Sequence, residues 1–179
     1  IAALLTAAMA VTSLSGVAVS AADNSTDEKV EMADASDVDG TTITFWHSMG
    51  GVNGEAIDTL VKKFNDENEY GITVDAQYQG EYDDSLNKLK SAQIGNMGAD
   101  LVQVYEIGTR FMIDSGWIVP MQEMIDADGY DVSEIEPNLA AYYTIDNKLY
   151  SMPFNSSTPI MYYNKDMFDK AGITEIPDS

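Results

Sequence analysis

The chain has 179 residues, no cysteine and one histidine, and its 30 acidic against 9 basic side chains give a formal net charge of -21. This length suffices for one domain with a real hydrophobic core. The lack of cysteine excludes disulfides, thiolate metal sites and a cysteine nucleophile, and the single histidine disfavours two-histidine zinc sites and Ser-His-Asp triads. The acidity argues against nucleic acid or an anionic membrane as a partner, because both need a basic face.

Residues 1–22 are small and apolar, which is typical of the core and cleavage site of a secretory signal peptide, here without its charged start. An uncleaved anchor is the alternative, although a span needs about 20 apolar residues. Leu14-Ser-Gly16 resembles the start of a lipobox, but Val17 stands where the lipidated cysteine would be, so no lipid anchor is expected there. We expect export across the cytoplasmic membrane, to the periplasm or the cell surface.

Residues 23–40 are acidic and polar and have almost no apolar periodicity, so they are predicted to form a disordered tether. The folded region is predicted to cover residues 41–179. The chain starts on Ile1 and stops at Ser179, shortly after a helical pattern. We therefore expect a fragment of a longer protein.

Strand and helix patterns alternate from residue 41 onward. Alternating or continuous apolar runs predict strands at 41–46, 72–78, 101–105, 149–152 and 160–163. Helical periodicity predicts helices at 55–65, 82–94, 108–114, 121–127, 133–143 and 165–171, with a glycine-rich loop at 47–54. The first of these helices is predicted to turn Ile57, Leu60, Val61 and Phe64 inward. This order predicts an α/β fold with a mainly parallel sheet and flanking helices.

Ligands of such sheets bind outside the carboxyl ends of the strands. Segments 46–48, 78–82 and 105–106 are predicted to lie there. Residues 151–164 are predicted to join the same rim, because a stiff run between Pro153 and Pro159 presents one amide and three hydroxyls to a small polar molecule. The alternative is an ordinary Ser/Thr-rich turn before a buried strand.

Four side chains of this rim are candidates for ligand contact. The carboxylate of Glu106 could accept hydrogen bonds from two hydroxyls of a polyol, or could be a solvated loop acid. Tyr82 could donate its hydroxyl or offer its ring to a sugar, or could pack on the domain. Trp46 and His47 could contact a ligand, but such residues are more often a core tryptophan and a histidine bonded to nearby backbone.

Two catalytic or nucleotide-binding interpretations fit the sequence poorly. The run His47-Ser-Met-Gly-Gly51 lacks the Gly-Lys-Ser/Thr end of a P-loop and the dinucleotide glycine spacing, although a weak anion site at a helix start stays open. Pairs of acids such as Asp83 with Asp84 lie in exposed helical settings, so they make a poor glycosidase pair.

Three motifs carry a family resemblance: Phe45-Trp-His-Ser-Met49, Gln103-Val-Tyr-Glu-Ile-Gly-Thr109, and Pro153-Phe-Asn-Ser-Ser-Thr-Pro159 followed by Tyr162-Tyr-Asn-Lys-Asp166. The sequence resembles the bacterial extracellular solute-binding proteins of carbohydrate ABC importers, and among them the group that binds sn-glycerol 3-phosphate. The similarity runs from about residue 41 to the end. It implies a two-lobed periplasmic-binding-protein fold of type II, of which this chain would be most of the first lobe.

The resemblance also implies the site and the partners. By motif, the family's first-lobe ligand residues map onto Tyr82, Glu106 and Ser157. Glu106 would accept from glycerol hydroxyls, and Ser157 and Tyr82 would donate to the ligand, phosphate included. The implied protein is a monomer that works with the permease subunits of an importer, without catalysis, cofactor or metal. The alternatives are a binder of neutral sugars and, from another class, a secreted hydrolase.

Overall fold

The computed structural model describes residues 30–31, 33–95 and 97–175. The predicted signal segment, residues 1–22, and the first part of the predicted tether lie outside these ranges. The described helices are α1 (Ala35–Val38), α2 (Gly51–Glu67), α3 (Tyr82–Ile94), α4 (Glu106–Ser115), α5 (Met121–Asp128), α6 (Pro137–Tyr142) and α7 (Lys165–Ala171). The described strands are β1 (Thr42–His47), β2 (Thr73–Tyr78), β3 (Leu101–Val102), β4 (Thr144–Ile145) and β5 (Lys148–Leu149).

The central sheet is parallel, in the order β2-β1-β3. Strand β1 pairs with β2 along its whole length, from Thr42 opposite Thr73 to His47 opposite Tyr78. It pairs with the short β3 only near its carboxyl end, where Phe45 lies opposite Leu101. The expected α/β fold with a mainly parallel sheet and flanking helices is confirmed.

The core forms where α2 covers β1 and β2. Ile43 is 1% exposed and Ile72 is 1% exposed, and both pack with Phe45, Ile57 and Val74. Alternate residues of β1 point into this cluster, because successive side chains of a strand face opposite sides of the sheet.

The folded region begins before Thr41, which is the start predicted from the sequence. Residues Ala35–Val38 form one helical turn, and Val38 is 2% exposed within the core cluster. The backbone of Gly40 donates to Gly71 O at 3.1 Å and ties this turn to the start of β2. The few apolar residues of this acidic stretch show no clear periodicity, so the pattern did not reveal this contact.

Helix α2 is longer than predicted, because it begins at Gly51 inside the predicted glycine-rich loop. Gly50 precedes the helix in an extended conformation, and the backbone N–H of Gly54 donates to Gly50 O. The first turn of the helix therefore occupies the glycine-rich segment that was predicted to be a loop. Of its predicted inward face, Ile57 is buried, but Leu60 is 61% exposed. Leu60 lies at the margin of the apolar face of α2, and the three-stranded sheet does not cover this margin.

Two asparagines bind the outer edge of β2: Asn65 lies in α2, and Asn68 is the C-cap of that helix. Asn65 donates to Val74 O at 3.0 Å and accepts from Val74 N at 2.8 Å. Asn68 donates to Ile72 O at 2.9 Å and accepts from Ile72 N at 3.0 Å. Each amide therefore supplies the donor and acceptor that a neighbouring strand would offer, which protects an otherwise open edge.

The helix predicted at 133–143 and the strand predicted at 149–152 are both shorter in the structure. Helix α6 starts only at Pro137, because proline suits the first turn of a helix and cannot donate within it. The predicted hairpin through residues 146–147 is present as β4 and β5, and Asp146 and Asn147 have φ of 50° and 63°. Positive φ at both turn positions is the type I′ geometry that matches strand twist.

The predicted buried strand at 160–163 is wrong for the described structure. Residues 152–164 have no regular secondary structure, and Ile160, Met161 and Tyr162 are 68%, 90% and 87% exposed. No described strand lies beside this run to pair with it. The helix that follows, α7, has the predicted bounds, with Asn164 accepting from Met167 N at 3.1 Å and Gly172 ending it in a left-handed conformation.

Candidate functional site

The rim at the carboxyl ends of the strands brings together three distant parts of the chain. Ser48 follows β1, Gln103 follows β3, and Asn155 comes from the segment 152–164. Ser48 N donates to Gln103 Oε1 at 2.8 Å, and Gln103 Nε2 donates to Asn155 Oδ1 at 2.6 Å. The predicted rim segment is therefore attached to the strand ends by its asparagine.

Tyr82 is the first residue of α3 and is partly exposed at this rim. Its ring stacks on that of Tyr105, with centroids 5.3 Å apart and planes 8° from parallel. Its hydroxyl oxygen accepts from Asn155 Nδ2 at 3.1 Å. The phenol of Tyr105 in turn donates to Asp83, and this hydrogen bond raises the pKa of Tyr105.

Glu106 is the first residue of α4, whereas the sequence predicted that it follows directly on a strand at 101–105. Strand β3 stops at Val102, and Tyr105 is the N-cap of α4. The carboxylate is exposed, and an acid in the first helical turn is favoured by the helix dipole. Glu106 directly follows Tyr105, whose ring contacts Tyr82.

Ser157 lies two residues after Asn155 on the segment without regular structure, and its side chain is exposed. The structure links Tyr82 to Asn155 directly and to the chain neighbour of Glu106 by stacking. Among the contacts of the described residues, none joins Tyr82, Glu106 and Ser157 to one another. Their shared role stays a prediction.

The residues that end β1 have structural surroundings. His47 is 3% exposed, and its Nδ1 accepts from Met49 N at 3.3 Å. Burial lowers the pKa of His47, and the carboxylate of Asp58 opposes part of that effect. Trp46 donates from its indole nitrogen to Gln77 Oε1 at 3.1 Å. The expectation of a histidine bonded to nearby backbone fits this geometry better than a ligand donor.

Gln103 is a rim residue that was not predicted from the sequence. It is 9% exposed and connects two segments of the rim. One signal pointed to it: a glutamine in the apolar run Leu101-Val-Gln-Val-Tyr105 is a polar side chain in a buried position, and such groups need hydrogen-bond partners.

Two cationic side chains near the described rim have partners within the chain. Arg110 forms an ion pair with Asp114 at 2.6 Å, and Lys88 donates to Gln79 O at 2.8 Å. In residues 33–95 and 97–175, no group of three or more acidic or histidine side chains is arranged so that it could bind a metal ion. Within the same part of the chain, every helix is too short or too polar to cross a bilayer.

Comparison with known proteins identifies relatives over most of the chain. The sn-glycerol-3-phosphate-binding periplasmic protein UgpB of Salmonella paratyphi A is 45% identical over 140 residues, which cover 74% of this chain and 31% of the relative. UgpB of Escherichia coli K12 is 44% identical over the same length and shares. The chain thus spans about a third of the length of these relatives.

Solved structures with the same fold include UgpB from Mycobacterium tuberculosis in complex with glycerophosphocholine. It is 28% identical, with a TM-score of 0.67 over 77% of this chain and 35% of that structure. The substrate-binding protein Lmo0181 from Listeria monocytogenes in complex with cycloalternan is 25% identical, with a TM-score of 0.54 over 76% of this chain and 34% of that structure.

Residues 59–179, more than half of the chain, match the family described as Bacterial extracellular solute-binding protein. The matched range contains Tyr82, Glu106 and Ser157. Both the sequence relatives and the structural neighbours are solute-binding proteins. The chain belongs to the bacterial extracellular solute-binding protein family.

Proposed function

We propose that the protein containing this chain is the extracytoplasmic substrate-binding component of an ABC importer for sn-glycerol 3-phosphate or a glycerophosphodiester. One observation carries the proposal: the chain is 45% identical over 140 residues to a protein named for binding glycerol 3-phosphate. The structural neighbour from Mycobacterium tuberculosis, which holds glycerophosphocholine, supports the same class of ligand. Because this chain spans about a third of those relatives, the ligand and the permease partner belong to the proposal.

The lobe would contribute three side chains to the ligand. Glu106 would accept hydrogen bonds from two glycerol hydroxyls, and its charge would strengthen them. Its carboxylate is exposed at the start of α4 and has no side-chain partner among the described residues. Tyr82 and Ser157 would donate to oxygen atoms of the ligand. The protein would act as a monomer, outside the cytoplasmic membrane, and would release the ligand chemically unchanged.

The test is isothermal titration of the complete gene product with glycerol 3-phosphate, glycerophosphocholine and maltose. We expect micromolar or tighter binding of a glycerophosphate. Glu106→Ala should weaken it by roughly a hundredfold, because two hydrogen bonds to a charged group are lost at about 1.5 kcal/mol or more each. Ser157→Ala should weaken it by about tenfold.

Glu134→Ala and Ser156→Ala are the matched controls, because each removes the same chemical group from an exposed position outside the proposed contacts. Both should bind like the unaltered protein. Equal losses in the controls would remove Glu106 and Ser157 from the site. Recovery of altered ligand after incubation would contradict a purely binding role.

A neutral sugar or oligosaccharide is the second candidate. One observation favours it: the described rim around Tyr82 presents amide, hydroxyl and carboxylate groups, while Arg110 is paired with Asp114. The negative charge of a phosphate would therefore depend on cationic side chains outside the described residues. Binding of maltose without binding of either glycerophosphate would decide for the sugar.

A further inference from the structure

Three hydrogen bonds form a relay from the backbone at the end of β1 to the phenol of Tyr82. Ser48 N donates to Gln103 Oε1 at 2.8 Å. Gln103 Nε2 donates to Asn155 Oδ1 at 2.6 Å. Asn155 Nδ2 donates to the hydroxyl oxygen of Tyr82 at 3.1 Å. The relay joins residues that are far apart in the chain, and its two amides can each be rotated in two ways.

The backbone N–H of Ser48 settles both rotations, because it can only donate. Gln103 must turn its oxygen toward Ser48, which leaves its NH₂ group facing Asn155. Asn155 must then offer its oxygen to Gln103 and its NH₂ group to Tyr82. Any single reversal sets two donors, or two acceptors, against each other. Gln103 is 9% exposed, so an unmatched amide there would be costly.

The consequence is a defined direction for the Tyr82 hydroxyl. Its oxygen accepts from Asn155, so its own proton is left for another partner. We infer that Gln103 and Asn155 are positioning residues that make Tyr82 a hydrogen-bond donor to the ligand, so that the ligand atom at Tyr82 is an acceptor oxygen. This inference rests on the proposed function for the identity of the ligand.

The ring of Tyr82 is fixed separately from its hydroxyl. It stacks on Tyr105 at 5.3 Å, and Tyr105 is held by its hydrogen bond to Asp83. Stacking sets the plane of the phenol, and the relay sets the direction of its proton. A donor that is fixed in both respects before binding loses less freedom on binding, which favours affinity.

The first test is Asn155→Asp, because Asn155 is exposed and a carboxyl group has the shape of the amide. Ionised, the new carboxylate only accepts, so Tyr82 turns its proton toward it and away from the ligand. Affinity for glycerophosphocholine should fall about tenfold at neutral pH. Protonated, the new acid donates to Tyr82 as the amide did, so affinity should return at low pH.

Glycerophosphocholine is the probe, because its phosphodiester is a strong acid and keeps its single negative charge at the low pH, about 3.9 and below, that protonates an aspartate. Asp83, Glu106 and His47 lie on the elements around the relay, so the profile of the unaltered protein is subtracted. Ser156→Asp adds the same charge one residue away and outside the relay. It should show only a Coulomb loss that disappears at high salt, whereas the loss in Asn155→Asp should persist there.

A second variant tests the relay without any ligand. In the unaltered protein, NMR should show a nuclear Overhauser effect between the side-chain amide protons of Asn155 and the ring of Tyr82. Gln103→Glu, when ionised, offers only acceptors, so Asn155 must turn its NH₂ group toward the new carboxylate. The effect should then vanish, and it should return when the carboxyl is protonated.

The outcomes separate the two proposals. The relay is overturned if the ligand-free effect is absent, or if Asn155→Asp binds like the unaltered protein or merely like Ser156→Asp. If the unaltered protein binds neither glycerol 3-phosphate nor glycerophosphocholine, the proposed function fails. The ligand-free measurement on Gln103→Glu then still decides whether the relay orients Tyr82.

Discussion

Two regions of this lobe are built in opposite ways. Residues 42–78, from β1 through α2 to β2, enclose an apolar cluster and close their outer edge with Asn65 and Asn68. Residues 152–164 have no regular structure and expose Ile160 by 68%. The first region depends on burial and is locally complete. The second is attached by the polar contacts of Asn155 with Gln103 and Tyr82 and by an edge-to-face contact of Phe154 with Phe45.

The difference between the two regions matches two requirements of a binding protein, a rigid scaffold and a surface that contacts the ligand. A closed core supplies a rigid edge from which strand ends and helix starts can present side chains. The open segment, which carries Asn155 and the predicted ligand residue Ser157, is held by few contacts within the described chain. Since this chain spans about a third of the length of its relatives, we expect the exposed run 160–163 to be covered in a protein of their full length.

The largest expected effect contrasts two isoleucines. Ile72→Ala, at a site 1% exposed, should lower the free energy of unfolding of this chain by about 2–5 kcal/mol, because it opens a cavity in the core. Ile160→Ala, at a site 68% exposed, should change it by less than about 0.5 kcal/mol. Chemical denaturation followed by circular dichroism measures both.

Repeating the pair of variants in the complete gene product sharpens the comparison. There, Ile160→Ala should become costly if the rest of the protein covers residues 160–163. If the two variants lowered the free energy of unfolding of this chain equally, residues 42–78 and residues 152–164 would not differ in burial.

A smaller effect is expected at the sealed edge of β2. Asn68→Ala should destabilise the chain by about 1–3 kcal/mol, because it leaves the N–H and C=O of Ile72 without partners. Asn138→Ala is the matched control, since that amide is exposed and donates only to its neighbour Glu136. A loss in the control as large as in Asn68→Ala would argue against a special role for this edge.

The elements that the sequence predicted well are those whose signal is local. Strand β2 follows from the alternation of apolar residues, and α3 has the predicted bounds because its periodic face includes Leu89, which is 1% exposed. Residues 160–163 have an equally strong apolar signal and still form no strand. A strand is defined by its neighbour, and the described chain provides none for that run.

The sequence nominates site residues one by one, and their role stays a prediction, but it does not reveal the network that connects them. Family motifs point to Tyr82, Glu106 and Ser157, yet the relay through Gln103 and Asn155 joins positions 52 residues apart. No periodicity encodes such a contact. What the sequence does contain is the cue for it, a glutamine within a buried apolar run and an asparagine between two prolines.

His47 is buried at the end of β1, and it gives the smallest expected effect. Burial lowers its pKa from the usual value of 6.5, so as pH falls through that value the unfolded chain binds a proton that the folded chain does not. Stability should therefore fall between about pH 7 and about pH 5 by less than about 1.4 kcal/mol per pH unit on account of this group.

His47→Asn keeps an acceptor near Met49 N and lacks the titration, so its unfolding free energy should depend less steeply on pH over this window. Equal slopes for the two proteins in urea denaturation would mean that His47 is protonated as readily in the folded state as in the unfolded one, and hence that the end of β1 is open to water rather than part of the closed region.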